Sequence, residues 1–158
     1  MKVSFRLIPP RKKEFCKMPL LAPRLLGVLA CLVNFGMLVF NVGFTRTEPI
    51  EVLNPQVFSV FGQVMILVWG VAFLLAGLGD DEPSYIWWAF TLEKAMYVGS
   101  WLLWLREIPS PTGLLDLAPV FHTIYGPVDA IFMLLFAQQG IAAVKKNRDD
   151  DAAGLKRA

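Results

Sequence analysis

Long apolar runs, separated by short polar connections, dominate the pattern of the chain. Four such runs cover about residues 19–41, 57–78, 85–106 and 118–144. Each run reaches the roughly 20 residues that an α-helix needs to cross about 30 Å of hydrocarbon. Because unpaired backbone groups are not tolerated in lipid, we expect helices rather than strands. The pattern therefore predicts an all-α integral membrane protein, built as a bundle of four transmembrane helices.

The remaining segments are too short to form a second domain. The connections between the runs are rich in proline, glycine and acidic residues. Residues 1–18 form a basic N-terminal tail and residues 145–158 a charged C-terminal tail, on either side of a transmembrane domain that covers residues 19–144. The chain is therefore predicted to have little mass outside the bilayer.

Basic side chains are concentrated on one predicted side of the membrane. Of the 15 lysines and arginines, seven lie in the N-terminal tail or at the head of the first run, and five lie in the C-terminal tail. Arg46 and Arg106 fall on the opposite side, and Lys94 lies inside the third run. Cytoplasmic segments of membrane proteins are enriched in such residues. We therefore expect a multi-pass protein of the inner (plasma) membrane with both termini cytoplasmic.

The N-terminal region also permits a different interpretation. A basic start followed by an apolar run resembles a signal peptide, and the letters VLAC that end at Cys31 resemble a lipoprotein cleavage site. However, the chain stays apolar after Cys31, and Arg24 interrupts the stretch that would form the hydrophobic region of a signal peptide. We therefore predict an uncleaved cytosolic arm that can contact anionic lipid headgroups.

The composition is typical of a membrane protein and excludes several kinds of site. Hydrophobic residues make up 56% of the chain, whereas a soluble domain has roughly 45–50%. The net charge of +2 gives no basic field for nucleic acid. One histidine cannot build a His-rich zinc site or a haem held by two histidines within one chain, and the two cysteines have no C-x-x-C spacing. We expect no metal and no other cofactor, and we expect the lipid bilayer to be a partner.

The third run carries two adjacent charged residues, Glu93 and Lys94, midway between two pairs of tryptophans. The two pairs are about 24 Å apart on a helix, close to the thickness of the hydrocarbon region, so we expect them at the two membrane surfaces. Each charge near the bilayer centre costs roughly 2.5–3.5 kcal/mol on insertion scales. Both side chains therefore need partners on other helices, or water.

The fourth run contains Pro127, which removes a backbone donor and permits two interpretations. In the first, a single helix from about residue 118 kinks at Pro127 and places His122, Tyr125 and Asp129 on one face. In the second, the spanning helix begins at Pro127, and Asp129 is only an acid in its first turn. The first interpretation, which we favour, brings these side chains close to the charges of the third run.

These positions together predict a polar pocket inside the bundle. The candidate ligand-binding residues are Glu93, Lys94, Asp129, His122, Tyr125, Tyr97, Gln63 and Asn34. The two amides have an alternative role as hydrogen-bonding groups between helices. The charged residues have an alternative role as a buried ion pair that fixes the register of the helices.

The architecture is similar to that of several membrane-protein families. Four transmembrane helices with a mid-membrane glutamate resemble the small multidrug transporters, and the mixture of acid, histidine and tryptophan resembles the emopamil-binding-protein type of sterol isomerases and sterol-binding domains. DoxX-like membrane proteins share the architecture. In the transporters the glutamate lies in the first helix, unlike Glu93, and no motif matches residue by residue, so no residue role is carried over.

Three functions are consistent with this pattern. The leading one is binding or passage of a small or amphipathic ligand through the polar pocket. The second is a non-catalytic subunit or assembly factor of a larger membrane complex, and homo-oligomerisation or association with other membrane subunits fits either function. The third is an intramembrane acid/base enzyme, such as an isomerase that uses Glu93 and His122. Because the chain has no nucleophile motif and no phosphate-binding loop, we expect a non-enzymatic protein.

Overall fold

The computed structural model describes residues 21–40, 54–79, 83–107 and 117–155. Its helices are α1 (Pro23–Phe40), α2 (Pro55–Phe58), α3 (Val60–Leu78), α4 (Ser84–Glu107) and α5 (Leu117–Leu155). The described part of the chain contains no strand, which confirms the all-α prediction. The predicted N-terminal tail lies outside the described residues.

Two stretches of helix are long and apolar enough to cross a membrane, as judged by length and composition. They are α3, Val60–Leu78, and the part of α5 that covers His122–Asp151. Helix α1 is also apolar, although its described part is shorter. Helix α4 fails the same test, and it is the helix that carries the adjacent Glu93 and Lys94.

Helix α1 packs along α3 in the antiparallel direction, and glycines permit their close approach. A Cβ atom added to Gly27 on α1 would lie 2.6 Å from the Cα atom of Gly77 on α3. Further along the pair, a Cβ atom added to Gly70 would lie 2.9 Å from the ring of Phe35. No ordinary side chain fits at Gly27 without a shift of the backbone it faces, so the two helices touch there at the backbone.

Helices α4 and α5 form a second antiparallel pair. Lys94 of α4 lies opposite Asp129 of α5. Further along α4, the indole Nε1 of Trp101 donates a hydrogen bond of 2.8 Å to the carbonyl oxygen of His122 on α5. The end of the bundle that contains α2, the last turns of α4 and the first turns of α5 is called the α2 end below. The start of α1 lies at the opposite end, where the amide Nε2 of Gln139 on α5 donates to the carbonyl oxygen of Leu21.

Helix α5 continues through Pro127 and has 39 residues in all. This continuity agrees with the first interpretation of the fourth run in that the helix begins before Pro127. The helix also does not end near residue 144 but extends to Leu155, into the segment that the sequence analysis assigned to the C-terminal tail. The side chains from Lys145 to Asp151 are exposed, as expected for a polar extension beyond the packed part of the helix.

The two pairs of helices meet around a cluster of aromatic rings, called the aromatic core below. Its members are Phe73, Trp87, Phe90, Phe132 and Phe136. Phe73 of α3 contacts Phe90 of α4 edge to face, with ring centroids 4.8 Å apart, and it also contacts Phe136 of α5 at 5.0 Å. Such aromatic contacts contribute roughly 0.5–1.5 kcal/mol beyond the area they bury. The aromatic core therefore joins the pairs between the charged residues of α4 and the end where α1 starts.

The outer surface of the bundle is apolar, whereas several polar side chains are buried. Helix α4 exposes Leu92, Met96 and Leu103 to the extent of 65%, 70% and 59%. Large hydrophobic side chains are exposed in the same way along α1, α3 and α5. By contrast, Glu93 and Lys94 are only 5% and 3% exposed. A soluble monomer rarely exposes contiguous apolar patches larger than a few hundred Å². The two candidate spans and this distribution of side chains indicate association with a membrane.

Candidate functional site

Lys94 is the centre of the polar interior. Its Nζ atom lies 2.8 Å from Oδ1 of Asp129 and donates a hydrogen bond of 3.2 Å to Oδ1 of Asn34. A second carboxylate oxygen, Oε1 of Glu93, lies 3.7 Å from the same Nζ atom. Glu93, Lys94 and Asp129 are called the charge cluster below. The short contact identifies Asp129 as the closer ionic partner of the lysine.

The ammonium group of Lys94 also faces two aromatic rings. Its Nζ atom lies 5.2 Å from the ring centroid of Phe73 and 5.5 Å from that of Tyr97. Cations at this distance are attracted by the negative face of a ring. Together with Asn34 on α1 and Asp129 on α5, these contacts connect the lysine to all four long helices.

Asn34 is held in place by a hydrogen bond between α1 and α3. Its side-chain Nδ2 donates to the carbonyl oxygen of Ile66 at 3.0 Å, which leaves Oδ1 directed at Lys94. The amide group of Asn34 therefore accepts a hydrogen bond from Lys94 and donates one to a backbone carbonyl of α3 at the same time. This geometry fits the interhelical hydrogen-bonding role and also places Asn34 beside the charge cluster.

Glu93 is buried but poorly satisfied. Both oxygens of its carboxylate are inaccessible, and neither has a hydrogen-bond partner among the described residues. A buried ionised carboxylate without hydrogen bonds is costly, and native proteins pair or neutralise such groups. If all three members of the charge cluster were ionised, two carboxylates would face one ammonium group, and the cluster would carry one net negative charge.

A small cavity adjoins the charge cluster. It offers about 30 Å³ to the centres of water molecules, and a single water needs roughly 10–15 Å³ on this measure. Its polar lining comes from Asn34, Lys94, Tyr97, Tyr125 and Asp129, and the rest of the lining is apolar. The cavity therefore has room for about two waters or one ion of similar size, which is too little for an amphipathic molecule.

Polar groups continue from this cavity toward the α2 end. Tyr125 lines the cavity, and its hydroxyl oxygen accepts a hydrogen bond of 3.3 Å from Nδ2 of Asn54. The same Nδ2 lies 3.3 Å from the hydroxyl oxygen of Ser100, to which it also donates. Asn54 is itself held as the N-cap of α2, where its side chain accepts from the backbone N–H of Val57. The result is a line of polar side chains between the cavity and the α2 end.

The structure brings six of the eight predicted ligand-binding residues together. Those that belong to the charge cluster, contact it or line its cavity are Glu93, Lys94, Asp129, Asn34, Tyr97 and Tyr125. His122 and Gln63 are not among the described residues that line the cavity.

His122 lies nearer the α2 end and is completely buried among aromatic rings. Its imidazole ring contacts Phe58, Trp104 and Tyr125, at centroid distances of 5.2, 5.0 and 5.7 Å. On α5 it precedes Asp129 by two helical turns, or about 10 Å along the helix axis. A shared reacting atom between His122 and the charge cluster is therefore difficult to arrange, and the predicted pairing of Glu93 with His122 as acid and base finds no support in this geometry.

Gln63 serves the local structure of α3. Its Nε2 donates a hydrogen bond of 2.8 Å to the carbonyl oxygen of Phe58, only five residues earlier. Ser59 between them caps α3 by accepting from the backbone N–H of Gly62 at 3.2 Å. The amide thus joins the start of α3 to the end of the short helix α2, and it does not line the cavity.

The sequence did not predict two residues that take part in this arrangement, Asn54 and Phe73. Asn54 next to Pro55 has the pattern of an N-cap followed by proline at the first helical position, which is a recognisable start signal. Phe73 was indistinguishable from the other apolar residues of its helix, because only the packing of α3 against α4 turns its ring toward Lys94.

The chain matches no known protein family, and no curated protein and no solved structure is detectably similar to it. The function is therefore inferred from the charge cluster and its cavity. Among the described residues, no group of three or more histidine, cysteine and acidic side chains is placed to hold a metal ion.

Proposed function

We propose that the chain is a four-helix membrane-spanning protein whose charge cluster lies inside the bilayer. The distribution of side chains on α4 supports this proposal for the one helix that hydropathy alone does not assign to a membrane. Its two charged residues are turned into the bundle, while Leu92, Met96 and Leu103 remain on the outside. An inward-facing ion pair with apolar residues toward lipid is how charged residues are accommodated in membrane helices.

In the proposed orientation, the protein spans the inner (plasma) membrane and both of its termini lie in the cytoplasm. The hydrogen bond between Gln139 and Leu21 supports placing the start of α1 and the later part of α5 at the same end of the bundle. That end adjoins the two segments in which most of the lysines and arginines are found. The α2 end, with the charge cluster's polar connections, then faces the outer side.

We further propose that the charge cluster and its cavity bind or pass a small monovalent cation. The observation that carries this proposal is that the buried carboxylate of Glu93 and the partly buried carboxylate of Asp129 share one ammonium group beside a cavity the size of about two waters. Carboxylate, amide and hydroxyl oxygens are suitable ligands for a hard cation. The cavity volume favours a small ion over the amphipathic ligand that the sequence pattern also permitted.

The experiment uses the purified protein in lipid nanodiscs at mildly alkaline pH. Sodium or ammonium chloride is titrated against choline chloride at constant ionic strength, and the melting temperature is recorded. A ligand that binds the folded state raises the melting temperature with its concentration. We expect sodium or ammonium, but not choline, to have this effect, and we expect Glu93→Gln to abolish it.

The matched control is Asp149→Asn, which removes an exposed carboxylate from α5 far from the charge cluster. This variant is expected to respond like the unmodified protein. Because Glu93 accepts no hydrogen bond from the described residues, Glu93→Gln is expected to fold. An equal response of the Glu93→Gln variant, or no response of the unmodified protein to either cation, would contradict the proposed function.

A second candidate function is a non-catalytic subunit of a membrane complex, with the charge cluster as a structural element. The observation that favours it is that Lys94 contacts groups on α1, α3 and α5 as well as on its own helix. These contacts of Lys94 fix the arrangement of the helices without a ligand. A subunit is expected to be unstable on its own and to purify with partner chains, whereas a cation-binding protein is expected to be stable alone.

A further inference from the structure

We infer that a cleft at the end of the bundle where α1 starts binds the phosphate headgroup of an anionic phospholipid from the cytoplasmic leaflet. It is called the α1-end cleft below. Its lining comes from all four long helices and includes Arg24, Gly77, Trp87, Gln139 and Lys146. The α1-end cleft shares no described lining residue with the cavity beside the charge cluster. Its proposed role goes beyond cation binding and rests on the membrane-spanning arrangement proposed above.

The size of the α1-end cleft fits a lipid headgroup rather than a single ion. It offers about 750 Å³ to the centres of water molecules, whereas the cavity beside the charge cluster offers about 30 Å³. Pockets for small organic ligands have volumes of roughly 300–1,000 Å³. Ala76 and Gly77 of α3 and Ala142 and Ala143 of α5 line the cleft, and these small residues leave space between the helix pairs. The cleft therefore has room for a phosphate ester and its attached alcohol group.

The charged side chains of the α1-end cleft complement a phosphate group. Arg24 and Lys146 are the two charged residues among its described lining residues, and both are exposed. A guanidinium group binds two phosphate oxygens at once, and an ammonium group binds phosphate as a point charge. Gln139 and Asn147 add uncharged amides to the lining. The acidic connection between α3 and α4, residues 80–82, lies outside the described residues and is not assigned to the site.

The depth of the two basic residues favours a lipid over a soluble anion. Arg24 precedes Asn34, which bonds to Lys94 of the charge cluster, by about 15 Å along α1. Lys146 follows Asp129 by about 25 Å along α5, and its Cα–Cβ bond tilts back toward the bilayer. The hydrocarbon core ends about 15 Å from the bilayer centre, and the headgroup region ends about 20–22 Å from it. With the charge cluster near the centre, Arg24 and Lys146 lie on either side of the phosphate level.

Apolar surface for the acyl chains adjoins the lining residues. Leu25, Leu78 and Trp88, each next to a lining residue in the sequence, are 48%, 48% and 42% exposed. A phospholipid bound by its phosphate covers such apolar surface with its acyl chains, whereas a free phosphate ion does not. Basic pockets between transmembrane helices on the cytoplasmic side bind anionic lipid headgroups in this way.

The N-terminal tail of the chain is a competing occupant, because it precedes Ala22, a lining residue of the cleft. However, residues 1–18 contain six basic residues and one acidic residue. Like charges would therefore oppose its insertion beside Arg24 and Lys146. An anionic phospholipid, by contrast, compensates the charge of both the cleft and the tail. Charge complementarity therefore favours the lipid.

The test is native mass spectrometry of the purified full chain in mild detergent, with phosphatidylglycerol or phosphatidylcholine of identical acyl chains added. A basic residue near the membrane surface strengthens the binding of anionic lipid roughly fivefold. We therefore expect one phosphatidylglycerol per chain to bind at least about tenfold more tightly than phosphatidylcholine. Arg24→Gln combined with Lys146→Gln should weaken phosphatidylglycerol binding about 30-fold. Because both side chains are exposed, this variant is expected to fold.

The matched control combines Lys145→Gln with Arg106→Gln. It removes the same net charge from exposed positions that are not among the described lining residues, and it should bind phosphatidylglycerol like the unmodified chain. An equal loss in this control would overturn the inference, because net charge and not the cleft would then attract the lipid. Equal binding of the two lipids by the unmodified chain would overturn it as well. Equally tight binding of glycerophosphoglycerol, which has the headgroup without acyl chains, would overturn the lipid as the ligand, and absence of phosphatidylglycerol binding would overturn it as the occupant.

Two further measurements separate the lipid site from the proposed function. Flotation of the protein with liposomes in alkaline carbonate tests the membrane-spanning arrangement, and a chain that does not float contradicts that arrangement and the lipid site together. A chain that shows the lipid selectivity but binds neither sodium nor ammonium contradicts the cation site alone. A chain that binds a cation through Glu93 but does not distinguish the two lipids contradicts the lipid site alone.

Discussion

Removal of Lys94 or Asp129 separately should destabilise the protein much more than their joint removal. The two side chains form an ion pair of 2.8 Å with only 4% and 13% of their side-chain surfaces exposed. Removing one partner of a buried pair leaves the other as an uncompensated charge, at a cost of roughly 3–5 kcal/mol. We therefore propose the variants Lys94→Met, Asp129→Leu and the combination of both.

The structure predicts unequal losses for the two single variants. Lys94→Met leaves two carboxylates without an ammonium group and also removes the hydrogen bond to Asn34. Its loss should therefore reach the full range of about 3–5 kcal/mol. Asp129→Leu should cost less, because Glu93 lies 3.7 Å from the lysine and can replace the lost partner.

The assay is reversible unfolding in mixed detergent micelles, analysed as a double-mutant cycle. We expect a coupling energy of about 1–3 kcal/mol between the two positions, because the double variant strands neither Lys94 nor Asp129 and leaves only the carboxylate of Glu93 without its cation. The matched control combines Lys145→Met with Asp129→Leu, since Lys145 is exposed and distant from the cluster. If the losses in free energy of unfolding of Lys94→Met and Asp129→Leu were strictly additive in the double variant, the ion pair would be refuted as a stabilising contact.

Further predictions concern the topology and the helix packing. A reporter enzyme that is active only outside the cytoplasm should be active when fused at residue 50 or 112 and inactive after Ala158; the reverse pattern would contradict the orientation. Gly27→Ala should lower the free energy of unfolding by about 1–3 kcal/mol, because backbone atoms of α3 must move to make room for the added methyl group. The control is Gly36→Ala on the same helix, whose added methyl group meets nothing within 4 Å and should not destabilise the protein. Equal stabilities of the two variants would contradict the close packing at Gly27.

The sequence pattern predicted the helices and much of the charge cluster for identifiable reasons. Helix content follows from run length and from the requirement that backbone groups be paired, neither of which needs tertiary information. The proximity of Asp129 to Lys94 followed once α5 was taken to continue through Pro127. Asn34 could be named because a buried amide in an apolar run must find a partner, and it donates to Ile66 and accepts from Lys94.

The remaining features depend on helix rotation and packing, which periodicity does not determine. Gln63 and His122 satisfied the same pattern of polar residues in apolar runs, yet Gln63 donates a hydrogen bond to the last residue of α2 and His122 is surrounded by aromatic rings. Trp87, expected at a membrane surface, is only 3% exposed and belongs to the aromatic core, whereas its neighbour Trp88 is 42% exposed. The size of the cavity depends on side-chain packing of four helices at once, and therefore no sequence pattern indicated it.

Direct measurement of cation binding tests the central claim. The purified protein in nanodiscs at mildly alkaline pH is equilibrated with radiolabelled sodium, or with isotopically labelled ammonium followed by nuclear magnetic resonance. The charge cluster predicts that at least one of these cations binds saturably at one site per chain. It also predicts that Glu93→Gln eliminates this binding while Asp149→Asn retains it. Absence of saturable binding of both cations, or binding that persists in Glu93→Gln, would contradict a cation site in the cavity beside the charge cluster.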